Sequence, residues 1–448
     1  REPIAFSARV KLEIQDPLLP RRLALIPAGS SAPPRSVMHP RLSPDGRTLV
    51  FEAARYLWEQ PLDGGQAQRL FAGNAFEREP AFSPDGRQLA FVTSEHGKEE
   101  LRVFNLDTRQ TRTVASGPYY WNLSWSPDGE RLVFMEDPSR VVAVNLNGDG
   151  KKEKLTEAAW WWGSRPQLSA DGQSLYFSGP PGAGTFYRLP LKEKAKPEPL
   201  TQLRRQLTRA LVSPDGKWLA FKRNTEIWIA SLEIRPIREE DIRQLSPEGG
   251  FSFAFTTDGS AVIYAAGNRV WRHPVAGGPS TLARDGEPRT AGSNHERKEI
   301  PIRLELQRPT PSPLLVRRVR VLDFDAGGFG PETSLFIEQG RIHWIGSERG
   351  RTLPPGTVTL DAAGRFAIPG LFDMHVHGSW TNQAAFLAYG VTSVRDLGGW
   401  LAWLNALADR GEASSDPVPR YFFTGDPFDS AQPVRRSRYL LIYDENDA

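Results

Sequence analysis

The chain has 448 residues, with 56 basic and 53 acidic side chains, a formal charge of +3, 39% hydrophobic residues and no cysteine. That length exceeds one compact core and predicts two or three ordered domains, while the near balance of charge implies neither nucleic acid nor an acidic membrane as partner. The missing cysteine removes disulfides, thiol nucleophiles and cysteine zinc sites together, so a metal would need His, Asp, Glu or a modified Lys. No run approaches the roughly 18 apolar residues of a membrane span. The chain starts at Arg1 with neither Met nor an apolar leader, which reads as a processed or trimmed chain.

In chain order the first feature is a repeated turn. "SPDG" occurs at 43–46, 83–86, 126–129 and 213–216, "SADG" at 169–172 and "TTDG" at 256–259, with spacings of 40, 43, 43, 44 and 43 residues. Each copy is followed by an apolar strand such as "RTLVF" or "ERLVFM". Pro suits the second position of a type I turn, and Gly the left-handed residue that closes it, so the unit is a hairpin. A period of about 40 to 45 residues is that of a four-stranded blade, and six copies suffice to close a ring. The expected fold class is therefore mainly β, opening with a six-bladed β-propeller over residues 1–305. Residues 1–30 are expected to supply strands that close the ring with the last blade.

Aligning the turns puts His39, Glu79, Asn122, Arg165, Arg209 and Ser252 at one equivalent place, four residues before each turn. If the strand before the turn is innermost, these six line one mouth of the channel, either as ordinary solvation or as a ligand-selecting ring. The runs "PYYW" at 118–121 and "WWW" at 160–162 fall in loops entering blades three and four. They predict an aromatic rim for a peptide, sugar or protein surface, or else packing between blades.

The turn pattern resembles that of TolB-like propellers rather than WD-repeat proteins, whose Gly-His and Trp-Asp signatures are missing. A Pro-rich linker at 306–313 then separates the repeats from short alternating strands over 314–369. From 370 to 448 the pattern becomes strand, helix, strand, with "LFDMHVH", "NQAAFLAYG", "VTSVRDLG", "WLAWLNALADRG" and "PRYFFTG" in turn. Such alternation predicts parallel βα units.

In an extended strand Asp373, His375 and His377 would share one face, with the two imidazoles last, as a shared metal ion requires. The run "IPGLFDMHVH" followed by "GVTSVRDLGG" resembles the metal-dependent amidohydrolase superfamily, in its imidazolonepropionase-like and prolidase-like branch. With the propeller in front, the chain looks like a bacterial family that fuses the two. The resemblance implies a composite β-sandwich over 314–369 and the opening of a (β/α)8 TIM-type barrel over 370–448. It also implies zinc or another divalent metal on His375 and His377, and metal-activated water attacking an amide, peptide or cyclic amide bond. Asp373, Arg395 and Asp396 take orienting or structural roles in it.

The resemblance further implies a bridging Lys, two more His and a late Asp, yet no His or Lys follows His377, and the 79 residues from Gly370 fall short of the about 250 of a whole barrel. The chain by itself is expected to be inactive, with its metal site incomplete or empty, and the unfinished sheet should expose apolar faces. The competing reading is a non-enzymatic propeller that binds a protein partner and carries a remnant hydrolase segment. A prolyl-oligopeptidase-like arrangement would need a GxSxG elbow, which the sequence lacks. A small-molecule or peptide substrate and a periplasmic or secreted location complete what the resemblance implies.

Overall fold

The computed structural model describes residues 29–442 apart from 96–97, 118, 138–139, 149, 157–164, 180–184, 206, 276–296, 378–382, 415–416, 426–427 and 431–439. The chain divides into two compact units, one of Arg1–Ala32 with Gln307–Phe366 and one of Pro33–Leu306 with Ala367–Ala448.

The larger unit contains six antiparallel four-stranded sheets, each built from consecutive strands. Their first and last strands are Met38–Leu42 and Gln68–Arg69, Phe76–Phe82 and Thr111–Gly117, Trp121–Trp125 and Lys152–Thr156, Gln167–Leu168 and Glu198–Pro199, Thr208–Val212 and Arg243–Gln244, and Ser252–Phe255 and Lys298–Ile300. These are propeller blades one to six. The first strands of blades six, one, two, three and four touch in turn, so the first strands are the innermost and line the channel.

Each turn closes on its own side chains. In blade one the Ser43 hydroxyl donates to Asp45, the Asp45 carboxylate accepts the Arg47 amide at 3.0 Å, and the Ser43 oxygen accepts the Thr48 amide at 2.9 Å. The Gly46 amide donates to the Ser43 carbonyl at 2.8 Å, with Gly46 at φ +70° where a β-carbon is disfavoured. The same Ser or Thr to Asp bond recurs at 83, 126, 169, 213 and 256. The hydroxyl bond and the backbone amide hold the Asp45, Asp85, Asp128, Asp171 and Asp258 carboxyls below their ordinary range.

The second strand of a blade is apolar on both faces because both are covered. Leu49 and Phe51 pack against Ile263 and Val270 of blade six, while Val50 packs against Leu89 and Phe91 of blade two. Successive side chains of a strand point to opposite faces, so "TLVF" feeds two cores at once. Six such clusters fill the six gaps between blades.

Of residues 1–30, expected to help close the ring, 1–28 lie outside the described residues. Among the described residues blade six takes all four strands from one run of chain and none from the N-terminus. Among the described residues blades one and six are joined by a shared core, by the Val37 amide donating to the Gly267 carbonyl at 2.9 Å, and by the His39 amide donating to Ser252 Oγ at 2.7 Å. Residues Gly29 and Ser30 hydrogen-bond Arg308, outside the blades.

After Ala367 the same unit continues with three parallel strands, Leu371–Val376, Val391–Asp396 and Arg420–Phe423, in that order. Helix α1 (Gln383–Ala388) and helix α2 (Leu401–Ala413) connect them. Val376, Val394, Leu404, Leu407 and Tyr421 form their core, which Phe76 of blade two also joins. Helix α2 is fixed to the propeller by Arg35, whose amide and guanidinium donate to Asp409 at 2.7 and 2.6 Å and whose second nitrogen reaches Glu412 at 2.8 Å. The Arg55 guanidinium lies 4.1 Å from the centre of the Trp403 ring. The opposite sheet face stands open, with Phe372 61% and Met374 55% exposed. Strands Phe428–Ser430 and Leu440–Ile442 pair with each other in parallel.

The smaller unit is a sheet with strands in the order Arg341–Gly346, Gly328–Glu338, Leu314–Asp323 and Val358–Asp361, the last pair parallel. Leu315, Val319 and Phe336 are buried in it, and His343 is exposed. No described helix is long and apolar enough to cross a membrane.

Candidate functional site

Two places bring the sequence-predicted residues together: the channel mouth, and the end of the first parallel strand. At the mouth, His39, Glu79, Asn122 and Arg209 adopt positive φ values of 49°, 55°, 58° and 51°. Side chains other than Gly avoid that region, so the repetition marks a built feature. In all four blades the ladder between first and second strand is irregular at this residue, a β-bulge that turns the strand end toward the channel. Arg165 precedes the short first strand of blade four, and Ser252 starts that of blade six. Neither has a positive φ.

The mouth is electrostatically lopsided. Glu79 is buried, and its carboxylate accepts the amides of Asn122 and Leu123 from blade three on one oxygen, with Arg78 at 3.4 Å from the other. Burial acts to raise its pKa, but Arg78, His39 and Arg165 outweigh burial and hold it below the ordinary value. Arg78 is itself bonded to Glu99 at 2.7 Å. Facing Glu79 are the guanidiniums of Arg41, Arg165 and Arg209, all shifted down by burial, Arg41 to about 10 and Arg165 to about 9. The neighbouring Arg41 and Arg209 add to the shift at Arg165. All three stay charged at neutral pH.

Burial depresses the His39 imidazole, against the opposing effect of the 2.9 Å contact between Nδ1 and the buried Glu52 carboxylate, which also accepts from Arg55.

Phe251 is the hub of the mouth. Its ring lies 6.3 Å from His39, 4.8 Å from the Arg209 guanidinium and 5.6 Å from Lys222 Nζ. Trp400, just before α2, lies 5.9 Å from Phe251 and 5.1 Å from Arg209. The parallel-strand segment thus supplies part of the mouth. Arg41, Phe251 and Trp400 escape a reading of the sequence because they lie outside the aligned register, Arg41 two residues past the bulge.

The aromatic rim is only partly as expected. Tyr120 is fully buried, edge-on to Phe134 at 5.1 Å, with its hydroxyl accepting from Lys152 at 2.8 Å, so it packs between blades. Trp121 is half-buried beneath Arg78 at 4.3 Å, and Tyr119 remains exposed. Residues 160–162 lie outside the described residues.

At the parallel strands, His375 and His377 are exposed at the C-terminal end of Leu371–Val376, ring centres 5.5 Å apart and planes at 78°. With zinc–nitrogen bonds of about 2.0–2.1 Å each ring centre would lie about 3 Å from an ion, and two rings at a tetrahedral angle about 5 Å from each other. The separation of the rings matches two positions of a tetrahedral site, and no group of three or more metal-binding side chains occurs among the described residues.

Asp373 is not on the same face. The ladder is irregular between Asp373 and Val376, which pair with Val394 and Asp396, and those two share the covered face of the next strand. His375 and His377 flank Val376 and so project to the open side. The Asp373 carboxylate accepts the His375 amide at 3.1 Å, bracing the irregular turn of the strand that presents the ring. Arg395 is exposed and Asp396 buried, on opposite faces rather than paired, and the Asp396 carboxylate accepts the Gly398 amide at 2.9 Å.

Comparison with known proteins finds partial relatives of two kinds. The Tol-Pal system protein TolB of Anaeromyxobacter dehalogenans is 28% identical over 119 residues, 25% of this chain and 27% of that one. Adenine deaminase 3 of Rhizobium meliloti is 39% identical over 67 residues, 15% of this chain and 11% of that one. A dihydroorotase of Pelobacter propionicus is 44% identical over 64 residues, 14% of each. The chain thus spans under a third of the length of each of these relatives. Residues 57–272 match the family described as the TolB beta propeller domain, and with its six four-stranded blades the chain carries a TolB-like β-propeller.

Proposed function

We propose that this chain supplies the propeller and the first metal-binding strand of a metal-dependent amidohydrolase that cleaves a carbon–nitrogen bond in an amide, peptide or cyclic amide. The observation that carries the reading is the pair of imidazoles 5.5 Å apart at the C-terminal end of the first of three parallel strands. Chemistry in parallel βα structures sits at that end, where strand ends converge and loops can close over a substrate. The short matches to a deaminase and a dihydroorotase point the same way. So does the run of three parallel strands, which in this reading opens a (β/α)8 barrel.

His375 and His377 would hold zinc or a similar divalent ion through neutral ring nitrogens. The ion, when bound, polarises the carbonyl and makes bound water acidic. Asp373 acts at one remove, since its carboxylate holds the backbone from which His375 projects. Asp396 shapes the turn after the second strand through the Gly398 amide. Arg395, exposed on the open face, is the residue of this group placed to meet a substrate anion. The propeller docks or filters substrate through the mouth that Trp400 helps to form. We place the protein in the periplasm or outside the cell.

The test is hydrolysis of N-acyl amino acids, dipeptides and cyclic amides by protein made from the complete coding frame. Chelation and His375→Ala should each remove activity at least a hundredfold. Activity indifferent to both would leave the propeller as a binding module beside an unused hydrolase segment.

A further inference from the structure

We propose that the propeller mouth binds the carboxylate of a ligand between Arg41, Arg165 and Arg209, with the ligand's adjoining apolar or aromatic part against Phe251 and Trp400. The inference rests on the propeller and Trp400, and it stands whether or not His375 and His377 hold a metal.

The first ground is the imbalance of fixed charge. Three guanidiniums face one carboxylate, Glu79, whose oxygens already serve the amides of Asn122 and Leu123 and the Arg78 side chain. The second is Arg165. Its side chain is more than nine-tenths buried, yet it donates to the Phe253 carbonyl across the channel at 3.0 Å, and among the described residues no carboxylate lies within ion-pair distance. Glu79 compensates Arg165 only at a distance, and a buried cation without a carboxylate in direct contact is costly, so a ligand anion would recover part of that cost. A guanidinium also presents paired N–H donors that match a carboxylate.

The surroundings narrow the class of anion. Arg209 lies over both Phe251 and Trp400, so its flat face is spent on aromatic contact while its edge remains for hydrogen bonding. Phe251, Trp400, Arg41 and Arg209 are only half-buried, so the mouth is open to an incoming molecule. A small, fully hydrated anion would leave these rings without a partner. A carboxylate attached to an aromatic or aliphatic body, as at the C-terminus of a peptide, would cover them. Because Trp400 belongs to the parallel-strand segment, a ligand held here touches both parts of the unit.

The experiment is calorimetric titration of the full chain with N-acetyl-phenylalanine, its amide, and inorganic phosphate. The acid should bind at least tenfold more tightly than the amide. Arg165→Gln and Arg209→Gln should each weaken it at least tenfold, and the His375→Ala/His377→Ala pair should leave it unchanged. Arg209 is half-exposed, so its variant answers the question even if Arg165→Gln does not fold. Equal binding of acid and amide, no binding of the acid up to about 10 mM, or indifference to Arg209→Gln would overturn the proposal. Phosphate binding as tightly as the acid would also overturn it, in favour of a simple oxyanion site.

Discussion

The His39 amide donates to Ser252 Oγ at 2.7 Å, and that bond joins the first blade to the last. Around it, Leu49 and Phe51 of blade one share a core with Ile263, Ala265 and Val270 of blade six. Ring closure therefore depends on side-chain packing with one buried hydroxyl as a clasp. Ser252→Ala should cost about 1 kcal/mol, the net worth of a hydrogen bond whose donor is left buried. Phe51→Ala should cost about 3–5 kcal/mol through lost burial and the cavity it leaves. Urea unfolding measures both, and equal losses would contradict the ranking.

Glu79 ties blade two to blade three through the Asn122 and Leu123 amides and is the carboxylate that faces the mouth guanidiniums. Glu79→Gln keeps the shape but removes the charge, leaving Arg41, Arg165 and Arg209 facing one another. The expected loss is about 3 kcal/mol, as for breaking a buried ion pair. High salt should restore part of it by supplying anions. A variant as stable as the parent at low ionic strength would contradict the charge argument.

Stability should fall as pH rises from about 5 to about 8. Burial pushes the Glu77 carboxyl up to about 7, against the Leu57 amide and Arg69, and pushes Asp409 up to about 6, against Arg35. Their unfolded values are near 4.5 and 3.8, so between those values and the raised ones the folded state holds the extra protons. The stability this contributes is present at low pH and lost through the window, by about 2–3 kcal/mol for Glu77 at most. The turn aspartates have depressed pKa values and act with the opposite sign only at lower pH, while His39, depressed from 6.5 by burial, opposes the trend in the acidic part of the window and leaves the fall to the stretch above it. The urea midpoint should be higher at pH 5.5 than at pH 8, and Glu77→Gln should flatten the slope. A midpoint rising across that window would contradict the account.

The six blades were legible because the turn is a local device: Ser, Asp and Gly close it within a few residues, and its spacing counts the blades. The polar ring positions were legible for the same reason, since they keep a fixed distance from the turn. Their left-handed backbone was not, because His39, Glu79, Asn122 and Arg209 are unlike in chemistry and the bulge comes from blade packing. Asp373 misled in the same way, for strict alternation cannot foresee the irregularity before Val376 that moves it to the other face. Of the two roles the sequence left open for Tyr120, rim or packing between blades, the structure shows the second, with Lys152 from the last strand of blade three donating to its hydroxyl. Phe251 and Trp400 meet only through tertiary structure, being far apart in the chain.

Zinc K-edge absorption spectroscopy on the chain loaded with one equivalent of zinc tests the imidazole pair directly. Two imidazole nitrogens should appear at about 2.0–2.1 Å, with the remaining positions filled by oxygen. Both imidazoles should vanish in the His375→Ala/His377→Ala variant. A spectrum without imidazole scattering, or one unchanged by the double substitution, would contradict the assignment of these residues as a metal-binding pair.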